Sequence, residues 1–197
     1  MFIEALLLGA IVGLIRKGRV SNLSEMQIRG WVLVVIGALI QFAPILLNKF
    51  DLLPEYHVFF PFAALVIMIG VALMNLEKSG LWMILAGGVL NGVAIALNGF
   101  KMPVDLAGLK YAGLDAVAET IVDGSVINYV DANTVDNFSS FLGKIVAVPS
   151  LYPFAKVLSV GDILMMVGIV LFISGQMTNN YFRRHGQQLR YSYKSKY

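Results

Sequence analysis

The chain has 197 residues, of which 58% are hydrophobic and only 14% are charged. Typical soluble domains carry roughly 25% charged residues, so this composition, with a mean hydropathy of +0.76, excludes an ordinary soluble domain and indicates a polytopic membrane protein. The net charge is +3, but the basic residues flank apolar runs, which argues against nucleic-acid binding. The absence of cysteine excludes disulfides, thiolate metal sites and a cysteine nucleophile.

Apolar runs alternate with short polar segments along the chain. A helix needs about 20 mostly apolar residues to cross a bilayer. The predicted spans are residues 2–15, 31–47, 58–76, 80–97 and 160–177. The first is short, since it rises only about 21 Å, and Pro44 should kink or end the second. The sequence predicts an all-α bundle of five transmembrane helices in one domain, residues 1–182, with a basic tail at 183–197.

Small residues recur at helical spacing in three of these runs, where they let another helix approach closely. They are Gly9 and Gly13; Gly88, Gly92 and Ala96; and Gly161, Gly168 and Gly175. The expected partners are membrane lipids and, through these small-residue faces, a partner protein or a second copy of the chain.

Residues 98–159 form a polar-rich connection that is too long for a plain turn. Residues 114–122 predict an amphipathic helix whose apolar face docks on the membrane surface or on the bundle. Its other face aligns Asp115, Glu119 and Asp123, which repel one another. A cation bound on this acidic stripe is the alternative interpretation.

A second short helix is predicted within this connection at residues 135–142. Thr134 is its expected N-cap and Gly143 its expected stop. Asp131 and Asp136 superficially resemble part of a calcium loop, but the glycine and the final glutamate of that motif are missing. We therefore expect no metal site, and no cofactor is implied.

The distribution of basic residues predicts the orientation. The segments after the first, third and fifth spans carry ten of the 15 Lys and Arg residues. The positive-inside rule then places the N-terminus outside, the C-terminus in the cytoplasm and the connection 98–159 outside.

Several polar residues fall near the outer ends of the predicted spans. Asn91 lies within the fourth span and needs a hydrogen-bond partner there. The residues expected to line an outward-facing pocket are Asn91, Asn98, Met102 and Asp162.

Asp162 opens the last apolar run, where a carboxylate at a membrane edge is costly and suggests a function. Ser159 and Asp162 form a pattern like a capping box, so helix capping is one interpretation. Binding of a cation or polar ligand is a second, and catalysis by Asp162 is a third.

Three motifs in order along the chain resemble a family of bacterial membrane proteins described only as a domain of unknown function, DUF-5317. They are Gly13 to Arg19 at the end of the first helix, followed by Ser21 to Leu23; Asn98 to Val104 at the end of the fourth; and Val157 to Asp162 opening the last. The resemblance covers essentially the whole chain and implies a bacterial cell (inner) membrane location, but no activity. Where members tend to carry Leu-Gly-Asp, this chain has Leu142-Gly143-Lys144.

The last helix is more faintly similar to that of lipoprotein signal peptidase, an intramembrane aspartic enzyme. Phe154 precedes the helix and Asp162 opens it, but the enzyme's other aspartate has no counterpart here. A two-carboxylate mechanism needs both groups in contact. The carboxylates that could serve as the partner of Asp162 are Glu4, Asp105, Asp123 and Asp136.

The leading functional prediction is a non-enzymatic membrane protein that binds a small or lipidic ligand, or a partner protein, at the outward-facing pocket. The alternatives are an aspartic intramembrane hydrolase using Asp162, and an accessory or scaffold subunit of a membrane complex.

Overall fold

The computed structural model describes residues 1–49 and 56–179, so the predicted tail at 183–197 lies outside the described residues. The helices are α1 Phe2–Ile15, α2 Trp31–Lys49, α3 Phe59–Met74, α4 Leu81–Leu97, α5 Leu106–Tyr111, α6 Asp115–Val122, α7 Asn137–Leu142 and α8 Val160–Thr178. The strands are β1 Met102–Val104, β2 Tyr129–Asp131, β3 Lys144–Val148 and β4 Lys156–Ser159. Helices therefore occur at all five predicted apolar runs.

The five long helices lie side by side in the order α2, α3, α4, α8, α1. Glycines bring α4 and α8 into backbone contact: a Cβ atom on Gly168 would lie 2.8 Å from the carbonyl oxygen of Gly80. Gly161 and Gly175 also face the α4 side, near Gly87 and Ser79. The predicted single face of three glycines on α8 is confirmed.

The other two small-residue faces are also used within the chain. Gly9 and Gly13 of α1 pack on α8, where added Cβ atoms would come within about 3 Å of Ile173 and Met177. Gly88 of α4 faces Ile69 of α3. Association of two copies through these faces stays a prediction.

Residues 102–159 fold into a small α/β unit between α4 and α8. Its sheet has the order β2-β1-β3-β4. Strand β1 pairs in parallel with β2 and β3, and β3 pairs antiparallel with β4. Apolar side chains of the strands and of helices α5 and α6 form its core. They include Val104, Leu109, Ala118 and Val157.

The predicted all-α fold is therefore wrong, because the long connection contains a mixed four-stranded sheet. The amphipathic helix expected at 114–122 is confirmed as α6, and its apolar side packs on the sheet core through Leu114 and Ile121. The second helix begins later than predicted, because its N-cap is Asp136 and not Thr134. The Asp136 carboxylate accepts hydrogen bonds from the amides of Phe138 and Ser139.

The prediction of five transmembrane helices is also wrong. Among the described residues, α8 alone is long and apolar enough to cross a membrane by length and composition. Helices α1, α3 and α4 have 14, 16 and 17 residues, which rise about 21 to 26 Å. A bilayer core is about 30 Å thick. The hydropathy of the runs was interpreted correctly as helix, but α1, α3 and α4 fall below the length of a full span, and the apolar part of α2, Trp31–Pro44, is also too short.

The two ends of the helix row differ in charge. At the first end, called the basic end, the Arg19 amide donates to the Met177 carbonyl over 2.9 Å, and buried Asn75 exchanges two 2.8 Å hydrogen bonds with the Arg29 backbone. Its charged residues are Arg16, Lys17, Arg19, Glu25, Arg29, Glu77 and Lys78. The opposite end, called the sheet end, carries the α/β unit and most of the acidic residues.

Candidate functional site

Helix α8 begins with the capping box that the sequence predicted. The Ser159 hydroxyl accepts a 2.9 Å hydrogen bond from the Asp162 amide, and the Asp162 carboxylate accepts one of 3.2 Å from the Ser159 amide. Both residues are buried, with Asp162 only 3% exposed. The carboxylate also lies at the positive end of the helix dipole, so the capping interpretation of Asp162 is confirmed.

Asn91 of α4 completes the hydrogen bonding of this helix start. Its side-chain nitrogen donates to Asp162 Oδ1 over 2.9 Å, and its side-chain oxygen accepts from the Ser159 hydroxyl over 2.7 Å. Gly161 makes this possible, because a Cβ atom there would overlap the Asn91 amide and lie 2.5 Å from the carbonyl oxygen of Gly87. The buried amide therefore has the partner that its depth requires.

Lys144 supplies the positive charge in this cluster. It is the first residue of β3 and pairs with Ser159 in the β3–β4 ladder, which points its chain toward the start of α8. Its Nζ lies 2.7 Å from Asp162 Oδ2, and its side chain is 23% exposed. We name Asn91, Lys144, Ser159 and Asp162 the polar cluster. Sequence reasoning noted Lys144 only as a departure from Leu-Gly-Asp and did not pair it with Asp162.

The hydrogen bonds of the polar cluster make it a junction. Asp162 Oδ1 accepts from Asn91, and Oδ2 accepts from Lys144 and the Ser159 amide. These bonds join α4, α8 and the first residue of β3, so they hold the α/β unit onto the helix row. The carboxylate already accepts three hydrogen bonds from within the protein, one of them from an ammonium, so both of its oxygens are engaged.

The four carboxylates considered as partners of Asp162 make other contacts. Glu4 forms an ion pair with a lysine of β4. Asp105 and Asp136 cap α5 and α7, and Asp123 accepts a hydrogen bond from an amide two residues further on. The geometry thus gives no support to a two-carboxylate mechanism at Asp162.

The other two residues of the predicted pocket, Asn98 and Met102, also lie at the sheet end, but neither contacts the polar cluster through the hydrogen bonds described above. Asn98 donates to the Ala94 carbonyl of its own helix over 2.6 Å. Met102 is buried in an apolar cluster with Ala94 and Leu142. The structure thus joins Asn91 to Asp162, and ligand binding by the four predicted residues stays a prediction.

A second ionic group ties α1 to β4. Glu4 is buried and contacts the N-terminal ammonium of Met1 at 2.5 Å and the ammonium of Lys156. Lys156 also lies 5.7 Å from the centre of the Tyr152 ring. A hydrogen bond to the Glu4 carboxylate raises the pKa of the Tyr152 hydroxyl above its ordinary value of 10. Glu4 is thus a link between the helix row and the α/β unit.

A groove of about 380 Å³ runs along the α/β unit beside the edge strand β2. Its walls are mainly apolar, with a lysine and an aspartate among them. The lining includes Lys101, Leu106, Ile121, Val126, Val130 and Asp131. Across residues 1–49 and 56–179, no group of three or more His, Asp or Glu side chains could hold a metal ion.

Comparison with known proteins gives a family without an assigned activity. The model described as "Family of unknown function (DUF5317)" matches residues 25–174. An "Uncharacterized protein" of Thermotoga maritima is 25% identical over 174 residues, which cover 87% of this chain and 89% of the relative. No solved structure matches the chain.

Proposed function

This chain belongs to the DUF5317 family of unknown function, and we propose that it is a membrane-anchored, non-enzymatic binding protein. In this proposal α8 anchors the chain, and the α/β unit is held at one membrane surface, where it binds a small ligand or a partner.

The exposure of large apolar side chains on the helix row is the observation that carries the proposal. Monomeric soluble proteins rarely leave extended apolar patches uncovered. Here both outer helices of the row do so along their length. Examples are Ile3, Leu7, Ile11 and Ile15 of α1, and Trp31, Val35, Leu39 and Phe42 of α2. Lipid would cover these faces.

Helix α8 has the dimensions of a membrane anchor. Its 19 residues rise about 28 Å, close to the thickness of a bilayer core. The basic end would face the cytoplasm, and the acidic sheet end would face outward, in the bacterial cell membrane.

The polar cluster favours binding over catalysis. Asp162 makes its hydrogen bonds within the protein, so a substrate would have to break them to reach the carboxylate. The groove beside β2 can accept a ligand without disturbing that junction. Its walls are mainly apolar and include Lys101 and Asp131, so they suit an amphipathic molecule.

The absence of cysteine allows a direct test of location and orientation. We expect the protein to stay in the membrane fraction after an alkaline wash. A membrane-impermeant maleimide should label Ser125→Cys, on the exposed surface of the α/β unit, in intact cells. Glu77→Cys, at the basic end, should be labelled only after permeabilisation. Recovery of the protein in the soluble fraction would exclude membrane anchoring, and the reverse labelling pattern would exclude the orientation.

Binding in the groove is tested by filling it. We expect native mass spectrometry of the purified protein to detect a co-purifying molecule. Val130→Trp should abolish that signal, because the indole would occupy the groove beside β2. Val146→Trp is the matched control, since Val146 is exposed on β3 and is not among the groove residues. A molecule retained equally by both variants would show that the groove is not its site.

A further inference from the structure

The loop that joins β3 to β4, residues 149–155 and here called the β3–β4 loop, exposes an apolar tip. Leu151 is 96% exposed, Phe154 is 59% exposed and Tyr152 is partly exposed. The chain carries no charged residue from Ile145 to Ala155. In water the apolar surface of this tip would stay unburied, which is unfavourable. The flanking residues of β3 and β4, in contrast, pair with each other in the sheet.

The tip has a defined shape. Pro149 and Pro153 restrict the backbone, and the Tyr152 amide donates to the Pro149 carbonyl over 3.0 Å. The rings of Tyr152 and Phe154 lie 6.0 Å apart at 67°. An ordered loop loses less conformational entropy on binding than a flexible loop does.

Ionic contacts hold this loop beside the first turn of α1. Lys156 follows the loop directly and pairs with Glu4, and its ammonium lies 5.7 Å from the centre of the Tyr152 ring. Phe2 and Ile3 of that first turn are 55% and 70% exposed. The apolar tip therefore continues the exposed apolar surface of α1 past the end of the helix.

We infer that the β3–β4 loop inserts into the interfacial region of the same membrane, as a second attachment besides α8. Aromatic and aliphatic side chains suit this region, where rings sit at headgroup level. The inference rests on the proposed membrane location of the helix row. It adds that the edge of the α/β unit formed by the β3–β4 loop lies against the bilayer surface.

The test uses single-cysteine variants carrying an environment-sensitive fluorophore, in vesicles of phosphatidylcholine and phosphatidylglycerol. Leu151→Cys leaves the fold intact, because the side chain is almost fully exposed. We expect its emission to be quenched by lipids brominated on the acyl chain near the headgroup and to be little affected by aqueous iodide. Ser125→Cys, at an exposed position shortly before the opposite edge strand β2, should show the opposite pattern.

A third position separates failure of this inference from failure of the proposed function. Val66→Cys lies on the exposed face of α3 and reports whether the helix row is in lipid. If Val66→Cys is quenched by brominated lipid but Leu151→Cys is quenched by iodide, loop insertion is excluded and membrane anchoring stands. If both are quenched only by iodide, the proposed function itself is overturned. Shielding of Leu151→Cys from both quenchers would mean that protein covers the tip, which also overturns lipid insertion.

Discussion

Replacing Lys144 with methionine should lower the free energy of unfolding by about 2–3 kcal/mol. The change removes the ammonium 2.7 Å from Asp162 and leaves a buried carboxylate with hydrogen bonds from Asn91 and the Ser159 amide only. Removing one partner of a fully buried ion pair costs roughly 3–5 kcal/mol. We expect less here, because the Lys144 side chain is 23% exposed. Denaturant unfolding in detergent micelles measures the loss.

A double-mutant cycle identifies the ion pair as the cause. Asp162→Asn alone should also destabilise the protein by about 2–3 kcal/mol. An amide offers one acceptor atom where three donors converge, and its NH₂ group would face one of them. The double variant Lys144→Met with Asp162→Asn leaves no uncompensated charge, so its loss should be smaller than the sum of the single losses by about 1–2 kcal/mol. Strict additivity would mean that the two side chains are not coupled.

The position of Asp162 in the capping box explains why asparagine is a poor replacement. As a simple helix cap, Asp162 should tolerate asparagine, which also caps helices. In the structure Ser159 is the N-cap and Asp162 is the third residue of the helix, where its two oxygens serve three donors. Asparagine therefore preserves the capping role only in part.

Gly168→Ala should destabilise the protein by about 3 kcal/mol, at the upper end of what an added methyl group costs in a packed interior. The new Cβ atom would lie 2.7 Å from Ile84 Cγ1 and 2.8 Å from the Gly80 carbonyl oxygen and the Ile84 amide nitrogen. Two of these atoms are backbone and cannot rotate away, so α4 and α8 must separate. The separation would also loosen the polar cluster at the start of α8.

Gly70→Ala is the matched control for this prediction. Gly70 is also inside a long helix, but a Cβ atom there would meet no atom within 4 Å. Alanine is favoured over glycine in a helix by up to about 1 kcal/mol, so Gly70→Ala should leave stability unchanged or raise it slightly. Thermal unfolding of both variants in the same detergent compares them. Equal midpoints would contradict the close approach of α4 and α8.

Features encoded within a few residues were predicted from the sequence. The helix positions follow from long apolar runs, and the glycine faces follow from a spacing of four or seven residues. The capping box at Ser159 and Asp162 is likewise a pattern of neighbours three residues apart. Each depends on local chain geometry, so no knowledge of distant contacts was needed.

The sheet could not be predicted in the same way. Its strands have three to five residues, too short for a clear alternation of apolar and polar positions. Lys144 to Val148 contains two adjacent β-branched residues, Ile145 and Val146, which was the available signal. Parallel pairing of β1 with β2 and β3 joins segments that are far apart in the chain, so local sequence patterns do not predict it.

Sequence alone determined where the apolar helices lie, which of their faces are small enough for close packing and how α8 is capped, because these depend on neighbouring residues. Tertiary structure decided that Asn91 and Lys144 meet Asp162, because the meeting requires α4 beside α8 and β3 beside β4. It also decided that the carboxylate is a junction between the helices and the α/β unit, since the charge and hydrogen bonds that satisfy it come from three separate parts of the chain.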